Sequence, residues 1–381
     1  MCTMNNNNTH YNEKRKLNFI LLISLSISIV LLSITFLSIY EEKDIFKISL
    51  GQEIKHTVPL DKIVSGGPPQ DGIPSIDSPK FQSIQEADEI LEDSERVVGL
   101  NINGDRRAYP LQILVWHEIV NDVVGGEPVA ITYCPLCFTN QVFNRTLSDG
   151  NIVEFGTSGK LYNSNLVMYD RQSNSLWSQA LGEGIVGDYS GVKLERIPFD
   201  IAYWKEWKEL YPESKVLSRD TGSVRPYGAD PYGDYYTNDL ILFPVANDDK
   251  RLGLKEIVTG LEDENQYKAY KLQDIETKKI VNDVVGDRKI ALVSLQPFMV
   301  RVFDRIIDNN EDKGEKIAVE LFYNKTTNTL RDIVTDSEVN FDGEFISGPF
   351  ENKQLKQLPM DQGFWFEWVA FHPATEIFSI K

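Results

Sequence analysis

An internal duplication constrains the fold of this chain more than any other feature of its sequence. When the sequence is shifted by 161 positions, Ser94–Gly125 aligns with Lys255–Gly286, and 15 of the 32 aligned residues are identical. The same shift aligns Ile197–Ser218 with Leu358–Ser379, with seven identities in 22 positions. Solenoid repeats have periods of only about 20–50 residues, so this offset indicates a tandem duplication of a whole folding unit.

Each copy combines helix and strand patterns. An apolar run over Leu111–Val124 ends at two glycines and predicts a short buried helix. Tyr203–Tyr211 predicts a second helix, with Tyr203, Trp207 and Leu210 on one side. Short apolar or alternating segments predict strands at 128–133, 165–170 and 176–180, and a hairpin around a D-G turn at 142–155.

An uncharged segment near the N-terminus predicts a transmembrane helix. Residues 17–40 contain no Asp, Glu, Lys or Arg, and at about 1.5 Å per residue such a helix spans roughly 36 Å, enough to cross a bilayer. Three basic residues precede it and acidic residues follow it. The positive-inside rule therefore predicts a single-pass cell-membrane protein with a cytoplasmic tail, 1–16, and an extracytoplasmic C-terminal domain. A cleaved signal peptide is the alternative, disfavoured by the long apolar run and the missing cleavage pattern.

The predicted fold class is α+β and strand-rich, with the transmembrane helix followed by two tandem homologous units of mixed α/β structure. A stalk, 41–70, connects the membrane segment to the first unit, 71–218. A linker rich in Tyr, Pro, Gly and Asp, 219–254, leads to the second, degenerate unit, 255–381.

Charge and cysteine content exclude two broad classes of protein. The formal net charge is −18, which argues against general nucleic-acid binding because phosphate contacts are made by Lys and Arg. Three cysteines in 381 residues cannot build a disulfide-rich scaffold. Cys2 lies in the predicted cytoplasmic tail, so only Cys134 and Cys137 share a compartment, and there a disulfide can persist. The expected partner is therefore the membrane through residues 17–40, and any protein or small-molecule partner stays open.

The motif CPLC, Cys134 to Cys137, is the main candidate for chemistry. Two intervening residues let both sulfurs bind one metal ion or close a small disulfide loop. A structural zinc site needs four ligands, so the partial soft set of Cys134, Cys137, His117 and Met168 favours copper over zinc. Thiol–disulfide exchange is the alternative, and an inert disulfide in a non-catalytic interaction domain is the third hypothesis. Spacing alone leaves all three open, and with them the question of whether the chain is an enzyme.

The reactive residue types occur in the first copy only. At the offset of 161, His117 aligns with Lys278 and Cys134 with Leu295. For one residue alone, drift after duplication is an equally good explanation, but the joint loss favours a functional first unit and a supporting second unit. Three further residues of the first unit are candidates for substrate binding: Tyr162, Asn165 and Trp177.

Several consecutive strings resemble the domain of unknown function family 3179, whose members are bacterial and archaeal and often exported or membrane-anchored. The strings are IPSIDSPKF, RAYPLQILVWHEIVND, VAITYCPLCFTN, FGTSGKLYNSNLVMYDRQSNSLWSQALGEGIVG and RPYGADPYGDYYTNDLILFPV. The resemblance implies that the segments Trp116–Asp122, Cys134–Cys137 and Tyr162–Arg171 are hallmarks of the family. Many members carry a glycine after the second cysteine, where this chain has Phe138.

Overall fold

The computed structural model describes residues 54–308 and 316–380. The chain from Lys55 onward is one compact unit. The predicted tail, membrane segment and first part of the stalk, residues 1–53, lie outside the described residues, so the membrane location stays a prediction. Among the helices that are described, none is long and apolar enough to span a bilayer.

Short strands form most of the described structure. The strands of the first half are β1 (Ile63–Ser65), β2 (Phe81–Gln82), β3 (Arg96–Ile102), β4 (Asp105–Pro110), β5 (Ile119–Val124), β6 (Glu127–Cys134), β7 (Thr139–Asn144), β8 (Phe155–Tyr162), β9 (Asn165–Asp170), β10 (Leu176–Ser178), β11 (Glu183–Val186), β12 (Asp200–Tyr203) and β13 (Lys215–Leu217). Those of the second half are β14 (Ile257–Asp263), β15 (Gln266–Lys271), β16 (Ile280–Val285), β17 (Arg288–Val293), β18 (Arg301–Asp304), β19 (Ile306–Asp308), β20 (Lys316–Ala318), β21 (Leu321–Asn324), β22 (Thr329–Asp332), β23 (Glu338–Val339), β24 (Phe345–Ser347), β25 (Gln357–Leu358), β26 (Asp361–Phe364) and β27 (Glu376–Ile377). The α-helices are Ile84–Asp88, Leu111–Leu114, Trp204–Leu210, Leu272–Lys278 and Trp365–Phe371, and the 3-10 turns are Leu60–Lys62 and Gly233–Thr237.

The two halves repeat the same elements at the offset found in the sequence. The β3–β4 hairpin recurs as β14–β15, β5 recurs as β16, and β12 with its following helix recurs as β26 with the helix Trp365–Phe371. In both copies a tryptophan packs directly on a glycine of the first hairpin strand. A Cβ added at Gly99 would lie 2.0 Å from the ring of Trp207, and one added at Gly260 would lie 2.4 Å from the ring of Trp368. This close packing requires glycine at both positions.

The described residues are strand-rich, as predicted, but the predicted mixture of helix and strand within each unit was wrong. The described helices have no more than seven residues, so strands dominate both halves instead of an α/β mixture. The helix predicted over Leu111–Val124 is a single turn, Leu111–Leu114, followed by the strand β5. The strand sequence IVNDVV is rich in β-branched residues, whose side chains fit a pleated sheet better than a helix.

The two predicted units are tandem in the chain but share a sheet in space. A seven-stranded sheet runs in the order β27-β15-β14-β26-β7-β6-β5 and therefore contains strands of both halves. Its two parts meet where β26 pairs antiparallel with β7, at Gln362 and Asn140. The second half thus completes a sheet of the first half, which brings its residues beside the CPLC motif.

A second contact joins the halves between β18 and β12, at the positions that correspond to β7 and β26 under the duplication. The guanidinium of Arg301 donates to both carboxylate oxygens of Asp200, at 2.8 and 2.6 Å, and also to Asp342 and to the hydroxyl of Tyr211. The Arg301 side chain is only 3% exposed. This buried ion pair stabilises the contact between β18 and β12.

Candidate functional site

The CPLC motif forms a tight turn between β6 and β7. The backbone N–H of Cys137 donates to the carbonyl oxygen of Cys134 at 3.2 Å. Such a turn holds its first and fourth Cα atoms within about 7 Å of each other, which is close to the separation that a disulfide bridges. The second half also holds the turn, because the N–H of Phe364 in β26 donates to the carbonyl oxygen of Cys137 at 2.9 Å.

Phe138, directly after the motif, has a left-handed backbone with φ of 57°. Glycine adopts this conformation without strain, whereas a residue with a Cβ does not. The Phe138 ring compensates through its packing: it stacks on Phe364 at 5.5 Å between centroids, and the Arg96 guanidinium lies 5.1 Å from its centroid. The aromatic residue therefore links the turn to the second half.

The two cysteines are free thiols that lie side by side. The Sγ atoms of Cys134 and Cys137 both contact the carbonyl oxygen of Ser164, at 3.9 and 3.1 Å. The residues are 1% and 0% exposed. Burial raises the pKa of Cys137 well above its usual range, and the neighbouring Cys134 raises it further. At neutral pH Cys137 is therefore held as the thiol.

A buried polar network lies behind the thiols. The amide Nδ2 of Asn165 donates to Thr139 Oγ1 at 3.1 Å, to Gln179 Oε1 at 2.9 Å and to Glu367 Oε1 at 3.1 Å. Glu367 comes from the helix Trp365–Phe371 of the second half and is 1% exposed. Burial raises its pKa strongly, and the nearby Asp361 raises it further. A buried carboxyl from one half thus reaches the thiol site of the other half.

The contact between β26 and β7, beside the thiols, lacks the ion pair that joins β18 to β12. At the offset of 161, Asp361 corresponds to Asp200, and Asn140 corresponds to Arg301. Burial raises the pKa of Asp361 to about 6. Both polar side-chain atoms of Asn140 are buried and have no hydrogen-bond partner among the described residues. Unpaired buried polar groups are uncommon in native proteins and indicate bound water or a ligand. The contact between β26 and β7 therefore has the features of a binding site, whereas the ion-paired contact between β18 and β12 is structural.

His117 does not join the cysteines. Its Nδ1 lies 2.6 Å from the carbonyl oxygen of Pro74, to which it donates, and its Nε2 accepts from the hydroxyl of Tyr227 at 2.6 Å. Burial lowers its pKa, so the ring is neutral with both nitrogens engaged. Across 54–308 and 316–380, no group of three or more His, Cys, Asp or Glu side chains is arranged to hold a metal ion.

Of the other predicted site residues, Asn165 lies in the polar network behind the thiols. Met168 is fully buried in β9 opposite Trp177 of β10. The indole of Trp177 donates to the carboxylate of Asp170 at 2.9 Å. Tyr162 makes an edge-on ring contact with Phe371 at 5.6 Å. These three side chains have partners that account for them within the packed structure.

Glu367, a carboxyl that accepts a hydrogen bond within the thiol network, was not predicted from the sequence. A signal for it was present, because Glu206 and Glu367 are one of the seven identities between the second pair of aligned blocks. The alignment could not show that the second copy of this glutamate reaches the site of the first half, since that depends on the pairing of β26 with β7.

The Tyr-rich linker covers the motif. The hydroxyl of Tyr235 donates to the carbonyl oxygen of Leu136 at 2.9 Å. The ring of Tyr236 contacts that of Phe138 edge-on at 6.0 Å. The segment around these tyrosines is thus an ordered cover that separates the thiols from solvent.

Comparison with known proteins gives one match. The model of a family described as "Protein of unknown function (DUF3179)" matches residues 70–375, most of the chain. No curated protein and no solved structure matches.

Proposed function

Because the chain belongs to the DUF3179 family, whose description names no activity, we propose from the site alone that it is a thiol redox protein. Cys134 and Cys137 cycle between a dithiol and a disulfide. The observation that carries the proposal is their contact with one carbonyl oxygen, that of Ser164, within a turn of suitable width. Both nitrogens of His117 are engaged by Pro74 and Tyr227, so this imidazole is not a copper ligand beside the sulfurs in this structure.

The oxidant of this proposal is a low-molecular-weight disulfide. Cys134 attacks one of its sulfurs, so that a mixed disulfide forms and one thiol leaves. Cys137, which rests as the thiol, then loses its proton and attacks the Cys134 sulfur, which releases the second thiol. The two protons lost by the protein are those gained by the two departing thiols.

Access to the sulfurs requires the cover to move. Both cysteines are almost completely buried, and the hydrogen bond from Tyr235 to Leu136 fastens the linker over the turn. Tyr235→Phe removes only that hydrogen bond. We therefore expect this variant to react faster with thiol reagents while its redox equilibrium stays unchanged.

The test counts free thiols in the full-length chain. Cys2→Ser is the control that keeps the dithiol, and Cys134→Ser and Cys137→Ser each remove one partner. After incubation with oxidised glutathione, the proteins are unfolded, alkylated and weighed by mass spectrometry. We expect Cys2→Ser to lose two thiols and to regain both with dithiothreitol.

Two results would overturn the proposal. One is that both thiols stay free under oxidising conditions, even in Tyr235→Phe. The other concerns metal: reduced Cys2→Ser that keeps copper(I) after dialysis against a chelator, with the copper lost in Cys134→Ser, would support the copper hypothesis instead.

A further inference from the structure

A separate cavity of about 220 Å³ adjoins the CPLC turn. Its walls are mostly apolar and come from the segment before β2, the β8–β9 hairpin, the turn itself and the linker. The apolar lining residues are Ile73, Leu136, Leu161, Leu166, Leu242 and Phe243. This volume exceeds the space of a few water molecules and suits a small organic molecule.

Glu118 is the carboxyl that lines this cavity. It is 9% exposed, and among the described residues no hydrogen bond and no charged group acts on the pKa of its carboxyl, only burial. Burial alone raises its pKa to about 8. Retaining a buried carboxyl without a partner costs free energy, which indicates that a ligand supplies the partner.

The equivalent position in the second half separates the backbone conformation of Glu118, which both copies share, from its side chain, which they do not. Lys279 stands at the position of Glu118 in the second copy, and both residues have a left-handed backbone, with φ of 67° and 58°. The strained conformation is therefore common to both copies and is not itself a sign of function. At this position the first half has a buried carboxyl and the second half has a lysine.

Two other titratable groups line the cavity, Lys160 and Tyr232. Lys160 has an interaction of its own, and it does not act on the pKa of Glu118. Tyr232 lies close enough for the Glu118 charge to raise its pKa, together with burial. His117, next in sequence, is neutral and engaged with Tyr227. The carboxyl thus has no cationic partner from the elements around it.

We propose that this cavity binds a small organic cation of the alkylammonium class, with the ammonium paired to Glu118 and the alkyl chain against the apolar wall. The ammonium supplies the charge partner that the carboxylate lacks, and the alkyl group displaces water from the leucine side chains. The protein's net charge of −18 also attracts cations. This inference is independent of the thiol chemistry.

Calorimetry with n-butylammonium and cyclohexylammonium tests the proposal, with n-butanol and cyclohexanol as neutral probes of the same shape. The full-length chain, Glu118→Gln and the control Glu127→Gln, an exposed residue of β6, are compared at pH 6 and pH 9. Binding of the cation displaces a proton from Glu118. We therefore expect the affinity of the chain and of Glu127→Gln to rise about tenfold per pH unit up to about pH 8.

Glu118→Gln is expected to lose at least tenfold in affinity at pH 9 and to lose the pH dependence. Its circular dichroism spectrum, compared with that of the unchanged chain, checks that the variant is folded. Equal affinities at pH 6 and pH 9, unchanged binding in Glu118→Gln, or no binding of the ammonium probes would each overturn the proposal. Alcohols that bind more tightly than the ammonium ions would also overturn it, because the carboxyl would then act as a neutral hydrogen-bond donor.

Discussion

Replacement of Glu118 by glutamine is expected to stabilise the protein, and more at alkaline than at acid pH. Burial raises the pKa of this carboxyl from 4.5 to about 8. The folded chain therefore holds the proton more tightly than the unfolded chain, and the free energy of unfolding falls as the pH rises from about 4.5 to about 8. Linkage between these two pKa values gives a cost of about 1 kcal/mol at pH 5 and about 4 kcal/mol at pH 8. Glutamine has a similar shape and no charge, so the variant escapes this cost.

Urea unfolding followed by tryptophan fluorescence measures the effect at pH 5 and pH 8. Glu127→Gln, at the exposed first residue of β6, serves as the control and is expected to change stability by less than about 0.5 kcal/mol. A gain in Glu118→Gln that is the same at both pH values, or a loss at pH 8, would refute the burial of an unpaired carboxyl. Stabilisation on removing a group is typical of a residue kept for binding or catalysis.

Three further substitutions test the packing. Arg301→Ala is expected to lower the free energy of unfolding by about 3–5 kcal/mol, because Asp200 stays buried without its partner; a loss below about 1 kcal/mol in urea unfolding would contradict the buried ion pair. Phe138→Gly is expected to be about 1 kcal/mol more stable than Phe138→Ala, because φ is 57°, and equal stability would count against that backbone. Gly99→Ala places a Cβ against the Trp207 ring and is expected to cost about 1–3 kcal/mol; an unchanged melting temperature would show that the ring has room to move.

The duplication was the most informative signal in the sequence, and its offset of 161 is the offset between equivalent strands such as β5 and β16. Identities over long blocks locate equivalent positions whatever their secondary structure. They do not show which half a strand pairs with. The pairing of β26 with β7 rests on a backbone contact between Gln362 and Asn140, and no residue pattern encodes such a contact.

The candidate site was predicted in part. The CPLC spacing correctly places two sulfurs at one turn, because four consecutive residues fix that geometry locally. His117 was grouped with them from its nearness in sequence, yet its partners, Pro74 and Tyr227, come from distant segments. Local spacing thus predicts local geometry, whereas the partners of a buried polar side chain depend on the tertiary fold.

The redox equilibrium of Cys134 and Cys137 in the Cys2→Ser chain tests the central claim most directly. The protein is equilibrated with glutathione buffers across about −320 to −120 mV, alkylated and weighed. The dithiol account predicts one transition within this range with the slope of a two-electron couple, about 30 mV per tenfold change. Two thiols that remain fully reduced at every potential, or an adduct of glutathione on one cysteine with no intramolecular disulfide, would contradict it.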